Sequence, residues 1–236
     1  MASISNEDQK RGQRLRPNPY DRNFWVLENI RDNLKSGIES YIDPSPAAWR
    51  IVDYGCGNMP YRELFKQTQP ACAYEGHDFP DNDLADRTLR ADGGLDLEAG
   101  TADVVVSSQV LEHVPDPGFY LQESFRALRK GGKLFLTTHG VWRFHPDPTD
   151  FWRWTSAGLQ KQVQEAGFAI VCFRGMVGPA ATGIQLFQDA VLPRVPVRLR
   201  KAFCFMCQRA MRFLDARSSR HTVDADACTF FCVAGK

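Results

Sequence analysis

Ile51-Val52-Asp53-Tyr54-Gly55-Cys56-Gly57-Asn58 is the stretch that decides the fold. Trp49 to Asp53 is apolar with β-branched residues and reads as a buried strand, while Gly55 and Gly57 end it and Tyr61 to Gln67 restarts with helical spacing. A strand that runs into a glycine turn and then a helix places backbone N–H groups at the strand's carboxyl end, where open α/β sheets bind ligands. Glycine lets that backbone approach a ligand with no Cβ in the way. A dinucleotide fingerprint needs a third glycine, and Pro60 stands in its place. Asp53 precedes the turn, and a carboxylate there repels pyrophosphate but attracts an ammonium group. The sign of the charge favours an amino-acid-bearing nucleoside.

Outward from this turn, strands and helices alternate. Asn23 to Ile42 carries Phe24, Leu27, Ile30, Leu34, Ile38 and Ile42 at helical steps, and a break at Pro44 to Pro46 follows. Ala71 to His77, ending at Asp78, predicts a second strand, and Val104-Val105-Val106 marks a core strand over Asp103 to Ser107. Phe119 to Arg129 predicts a helix stopped by Gly131-Gly132, with a strand over Lys133 to Thr138. Thr155 to Ala166 predicts another helix, followed by a strand from Phe168 to Phe173, and Cys228 to Val233 closes the chain as a strand. The pattern predicts an α/β fold: a mostly parallel sheet with helices on both faces. Residues 1–19 are polar and basic and predict a flexible arm, residues 20–236 form a single domain, and 176–223 is a helical insertion before the last strand.

The bulk properties narrow the function classes. Of 236 residues, 43% are hydrophobic and 24% charged, as expected of a globular domain with a real core. A net charge of +1 gives no global field for nucleic acid, and none is expected as a partner. Met1 to Lys10 has no apolar leader, and the seven cysteines are odd in number, so a reducing, cytoplasmic compartment is expected. No apolar run approaches the ~20 residues that span a bilayer. Cys204 and Cys207 have apolar neighbours that suggest a buried helix face, and no second pair lies at zinc spacing, so no metal is expected.

Five segments in order resemble class I SAM-dependent methyltransferases, in particular their small-molecule (type 11-like) branch. Val52-Asp53-Tyr54-Gly55-Cys56-Gly57 looks like the family's first motif, and Asp78 stands where its acid holds the ribose hydroxyls. Ala91-Asp92-Gly93-Gly94 resembles the adenine-contacting segment, Asp103 to Val114 resembles the fourth motif, and Arg126 to Leu134 resembles the entry to the fifth strand. The resemblance covers roughly Trp49 to Phe173. It implies a Rossmann-like seven-stranded sheet and S-adenosylmethionine (SAM) as cofactor. It also implies Asp53, Gly55, Cys56, Gly57, Asp78, Phe79, Asp92, Gly93 and Gln109 as the residues that hold it.

The stretch from His139 to Trp154 follows the fifth strand and packs two His, two Asp, two Arg and three Trp into one loop. Aromatic walls with a few polar groups suit a small-ligand pocket. His145 or Asp150 is the expected general base, with His139 nearby, and Trp142, Arg143, Trp152 and Trp154 are expected to shape the acceptor pocket. The bland alternative pairs Asp150 with Arg153 and uses the tryptophans to cover the core. Methyl transfer to a hydroxyl or an amine of a small polar acceptor is expected, and the string from His145 to Trp154, which resembles a segment of bacterial methyltransferases associated with surface-polysaccharide genes, implies a sugar or glycolipid precursor as that acceptor. Tyr20, Phe24 and Trp25 either fold over the cofactor as a lid or pack on the sheet.

A helix is expected around Val197 to Leu214, with Arg on one face and Phe and Met on the other, and 194–220 is a candidate for peripheral membrane contact at the inner face. A dimer contact or a plain cover helix are the alternatives, and the chain is expected to be a monomer or homodimer. Competing functions are an RNA or protein methyltransferase and a SAM-binding partner without activity. No Asn-Pro-Pro-Tyr-like segment follows the fourth strand, where Ser107-Ser108-Gln109-Val110 stands, and this disfavours methylation of base amino groups.

Overall fold

The computed structural model describes residue 12, residues 14–43 and residues 49–236. The basic arm expected over 1–19 and the break at Pro44 to Pro46 fall mostly outside the described residues. In chain order the elements begin with α1 (Phe24–Tyr41), β1 (Arg50–Tyr54), α2 (Arg62–Thr68), β2 (Ala73–Asp78), β3 (Arg87–Thr88) and β4 (Ala102–Ser108). A 3-10 turn (Leu111–His113), α3 (Pro117–Ala127), β5 (Leu128–His139), α4 (Ser156–Glu165) and β6 (Ala169–Met176) follow. The chain then runs through α5 (Pro179–Val191), α6 (Val197–Asp215), α7 (Arg220–Ala225) and β7 (Thr229–Gly235).

The strands form one sheet in the order β3-β2-β1-β4-β5-β7-β6. β1 pairs in parallel with β2 and β4, and β4 with β5, while β7 runs antiparallel between β5 and β6. Strand side chains alternate between the two faces. Ile51, Val104, Val106 and Phe135 meet Ile30, Leu34 and Ile38 of α1 and Phe65 of α2 on one face. Val52, Val105, Leu134 and Leu136 meet Tyr120 and Leu121 of α3 and Leu159 and Val163 of α4 on the other. Each fully buried aliphatic side chain contributes about 1.5–3 kcal/mol, so the two apolar layers fix the sheet edge on which the site is built.

Several boundaries differ from the sequence expectation for local reasons. Asp116 caps α3 by accepting from the Phe119 N–H at 3.0 Å, with Pro117 in the first turn, so the helix starts and ends earlier than its apolar residues suggest. Gly131-Gly132 does not stop that helix; it lies inside β5, where the Gly131 N–H donates to the Lys236 carbonyl. In the insertion, Pro179 opens α5 at its first turn.

The lid expectation for the N-terminal aromatics is overturned. Phe24 is buried in the helix layer, Tyr20 stacks on Phe205 of α6, and the Trp25 indole N–H donates to Asp215 at the end of α6. Three buried glutamines complete this joint. Gln188 and Gln208 both donate to the Arg22 carbonyl at 2.7 Å, and Gln208 Oε1 accepts from the Trp25 N–H at 2.7 Å. Gln185 Oε1 accepts from Gln208 at 3.2 Å. Cys204 and Cys207 are buried on α6, and all seven cysteines are free.

Candidate active site

The glycine turn after β1 is held against the end of β2. The Gly55 and Cys56 N–H groups both donate to the His77 carbonyl, at 2.9 and 3.1 Å. Gly55 has φ +74°, and a Cβ there would come within 2.6 Å of Val110, so this position tolerates only glycine. Gly57, also at positive φ, faces open space instead. Its N–H donates to Asp78 Oδ2 at 2.8 Å, and Asn82 donates to the same oxygen at 2.8 Å. Asp78 Oδ1 accepts from the Phe79 N–H at 2.9 Å. The Cys56 thiol is pushed up by burial and is not a nucleophile.

Phe79 is half exposed, and its ring edge lies 4.0 Å from where a Gly93 Cβ would be. The Gly93 carbonyl accepts from the Tyr54 hydroxyl. Asp92 turns away from this slot in its bonding: it caps its own turn through the Gly94 N–H at 2.8 Å and pairs with Arg90. Gln109, at the end of β4, adopts φ +58°, which is uncommon for a residue with a Cβ. Its backbone and side-chain N–H groups both donate to Thr137, leaving Oε1 buried with no partner.

Asp53 lies beneath this turn, 4% exposed, where Oδ2 accepts from the Tyr74 hydroxyl at 2.7 Å. Burial raises its carboxyl to about 7 against that hydrogen bond, and the nearby Asp78 charge adds to the rise.

The loop after β5 gathers at the same edge. His139, His145 and His113 form one cluster: His113 stacks on His145 at 5.0 Å, and His139 meets His145 edge-on at 5.2 Å. His139 also stacks on Trp142 at 5.1 Å. Glu112 is fully buried behind them; Oε1 lies 3.3 Å from His139 Nε2 and Oε2 accepts from Thr138 at 2.8 Å. Its carbonyl accepts from the N–H groups of Phe151 and Trp152, which ties the loop to the 3-10 turn. Burial pushes the Glu112 carboxyl up and the His139 imidazole well down. His145 is lowered too, through burial and the nearby His113.

Asp150 does not stand free as a base. Burial alone would raise it, but Arg153 and the His145 backbone N–H hold it down at about 2. Arg153 Nη1 donates to Oδ1 at 2.6 Å, Nη2 donates to Oδ2, and the His145 N–H donates to Oδ2 at 2.8 Å. The same guanidinium donates to the carbonyls of Trp142, Arg143 and Trp152 and so fixes the loop from within. His113, His145 and Asp150 offer one ligand atom each within 4.8 Å of one another, but both Asp150 oxygens are already taken, and Arg153 brings a positive charge to the same carboxylate. That bonding suits a hydrogen-bonded cluster better than a metal centre.

Trp142 and Trp154 line a cavity of about 420 Å³, with Arg153 and Thr155. Both indole N–H groups are buried without a partner. Trp152 stacks on Trp154 at 5.8 Å, and its own N–H donates to the Val114 carbonyl. Arg143 is drawn the other way, to Asp189 of α5 at 3.2 Å, and does not line the cavity.

Residues 26–172 match a family described as a methyltransferase domain. The chain belongs to that family. Its sheet and glycine turn are those of the class I, SAM-dependent methyltransferases. The chain is similar to the ubiquinone biosynthesis O-methyltransferase of Idiomarina loihiensis, 30% identical over 137 residues, which cover 50% of this chain and 53% of that protein. It is also similar to the mitochondrial ubiquinone biosynthesis O-methyltransferase of Homo sapiens, 31% identical over 127 residues, 46% of this chain and 34% of that one. The match therefore spans about half or less of these curated relatives. Among solved structures, Haemonchus contortus phosphoethanolamine N-methyltransferase 2 with bound SAM shares the fold with a TM-score of 0.58 at 15% identity, over 99% of this chain and 60% of that chain.

SAM is the cofactor of this methyltransferase family, and the turn fits it. Gln109 Oε1 is a buried acceptor with no donor, Gly57 opens onto free space, and Phe79 with Gly93 forms a flat slot beside the Asp78 carboxylate. Asp92, bound into its own turn, fits less well than Gly93.

Glu112 and Asn82 join the methyltransferase's site without having stood out as site residues in the sequence, and Arg153 joins it as the partner of Asp150. Glu112 follows a helical-looking apolar pair, and only the folded loop brings His139 and Thr138 to it.

Proposed function

We propose that this methyltransferase transfers a methyl group from SAM to a hydroxyl of a small polar acceptor, a sugar or glycolipid precursor, with His145 as general base. The observation that carries the reading is the half-buried His145 imidazole, lowered below its ordinary value and so neutral at pH 7, edge-on to His139, whose ring stacks on Trp142 of the cavity wall. Bound SAM supplies an electrophilic methyl group that needs in-line alignment with the acceptor.

The chain's own residues do the rest. A hydroxyl is a poor nucleophile until a base takes its proton. His145, with Nδ1 3.8 Å from Asp150 Oδ2, accepts the hydroxyl proton on its neutral ring. The Asp150 carboxylate, fixed by Arg153, then favours the imidazolium. The Trp142 and Trp154 side chains line the cavity and cover the acceptor's apolar side. Asp78, Phe79, Gly93 and Gln109 hold the nucleoside end, and Asp53 with Gln109 faces the cationic amino-acid end. The relatives' own name, O-methyltransferase, supports a hydroxyl acceptor. The seven free cysteines suit a cytoplasmic setting.

The test combines SAM titration by calorimetry with turnover on a panel of sugars and nucleotide sugars, read as release of the demethylated cofactor. Turnover on a hydroxylated acceptor that His145→Ala abolishes, with SAM affinity kept, is the expected result. His145→Ala turning over like the wild type would remove His145 as base.

A further inference from the structure

The α6 helix carries apolar residues on two opposite sides, contrary to the simple split of Arg on one face and Phe and Met on the other. Cys204, Cys207 and Met211 are buried against the domain. Leu199, Met206 and Phe213, with Ala202 and Ala210 between them at three- and four-residue steps, form a second stripe that faces solvent. Met206 is 63% and Phe213 56% exposed, and Val197 at the helix start is 77% exposed. A helix that serves only as a cover needs one apolar stripe. The second has no partner among the described residues.

Charge says what fits it. Arg198 and Arg209 flank the stripe, and Lys201 and Arg212 lie further round the same side, while the helix holds no acid before Asp215. Asp215 is spent on Trp25 and on the Gly178 N–H. Arg198, Lys201 and Arg209 form no ion pair among the described residues. Arg217 lies 3.5 Å over the Phe213 ring, which adds a cation to the outer end of the stripe. No helix among the described residues is long and apolar enough to cross a bilayer, so the face would lie on a surface.

We infer that this face of α6 docks on an anionic lipid bilayer, with Leu199, Met206 and Phe213 at the acyl boundary and the flanking arginines on the headgroups. A second copy of the chain packed through the same stripe about a two-fold axis would bring two basic helix sides together, with no acid before Asp215 on either to offset them. A nucleic acid would satisfy the arginines but leave the apolar stripe in water. The bilayer satisfies both. The joint of Gln185, Gln188 and Gln208 with residues 22–25 fixes α6 on the domain, and Asp189 of α5 holds Arg143 of the acceptor loop. Docking would therefore hold the acceptor loop at a set orientation to the lipid surface.

Cosedimentation of the full chain with vesicles tests this. The protein is expected to partition at least about 10-fold better onto phosphatidylcholine vesicles containing phosphatidylglycerol than onto phosphatidylcholine alone, with loss at high salt. Met206→Ser with Phe213→Ser, and separately Arg198→Glu with Arg209→Glu, should each weaken binding about 10-fold or more, with SAM affinity and the thermal transition unchanged. Equal binding by wild type and both variants, or none to anionic vesicles, overturns the inference. So does a concentration-dependent dimer that Met206→Ser with Phe213→Ser dissolves, or tighter binding to a single-stranded RNA than to the vesicles.

Discussion

The turn after β1 and the loop after β5 leave the sheet at one edge, with β4 between them, yet they hold their carboxylates by opposite means. Asp53 is buried against a neutral hydroxyl and sits at about 7, while Asp150 is clamped by a guanidinium and sits at about 2. In the first loop the backbone makes the surface, and one acid lacks a cation. In the second, side chains make the surface and Arg153 has already neutralised the acid. A loop whose charge is unbalanced without its ligand gives stability up for binding. A loop balanced internally is already set for chemistry.

The largest expected effect breaks the second loop and spares the first. His145→Ala should lower kcat by about 10²- to 10⁴-fold and leave the SAM dissociation constant within twofold, measured by calorimetry and single-turnover kinetics. The wild-type pH profile belongs to the same test. His145 acts when neutral and its pKa is lowered from 6.5, so activity should be level at pH 7 and fall only at more acid pH. An acid limb centred above 6.5 would assign the proton elsewhere.

Next in size, Asp78→Ala should weaken SAM about 10- to 100-fold, the worth of hydrogen bonds to a charged group, with little change in kcat at saturating cofactor. Asp53→Asn is expected to weaken SAM roughly 10-fold and to stabilise the cofactor-free protein. The sign follows from the raised carboxyl. Between its ordinary 3.8 and about 7 the folded chain keeps a proton that the unfolded chain releases, so stability falls as pH rises through that window. Asparagine has no proton to lose. The variant's thermal transition should lie about 5 °C or more above wild type at pH 8, with the gap closing toward pH 4. A variant that is less stable at pH 8 would mean that Asp53 is ionised and well paired in the free protein. Smallest of all, chelation with EDTA should change turnover by less than about twofold, because Arg153 already occupies the Asp150 oxygens. A large loss restored by a divalent cation would turn His113, His145 and Asp150 into a metal centre.

The same contrast governs what could be read from the sequence. The strands β1 and β4 were legible because their signals are local. Val104-Val105-Val106 can hardly be anything but a core strand, and Gly55 is dictated by its own φ and by Val110. Other elements depend on distant contacts. The two-residue β3, Arg87–Thr88, has no apolar signature and exists only through its pairing with β2. α5 was hidden because its buried side includes Gln185 and Gln188, whose partners lie at Arg22 and on α6. Asp150 and Arg153 were legible as a pair at helical spacing. Nothing near Glu112 in the chain announces that it will lie behind His139.

The order of synthesis bears on this sheet. β7 occupies an interior slot, pairing with β5 through Phe231 and Phe230 and with β6 along its other edge. While the ribosome still holds residues 229–235, β6 has no strand beside it and Phe135 lacks its Phe231 contact. The nascent domain must wait with that cleft open, and a protease cut after α7 at that moment would cost it two strands at once.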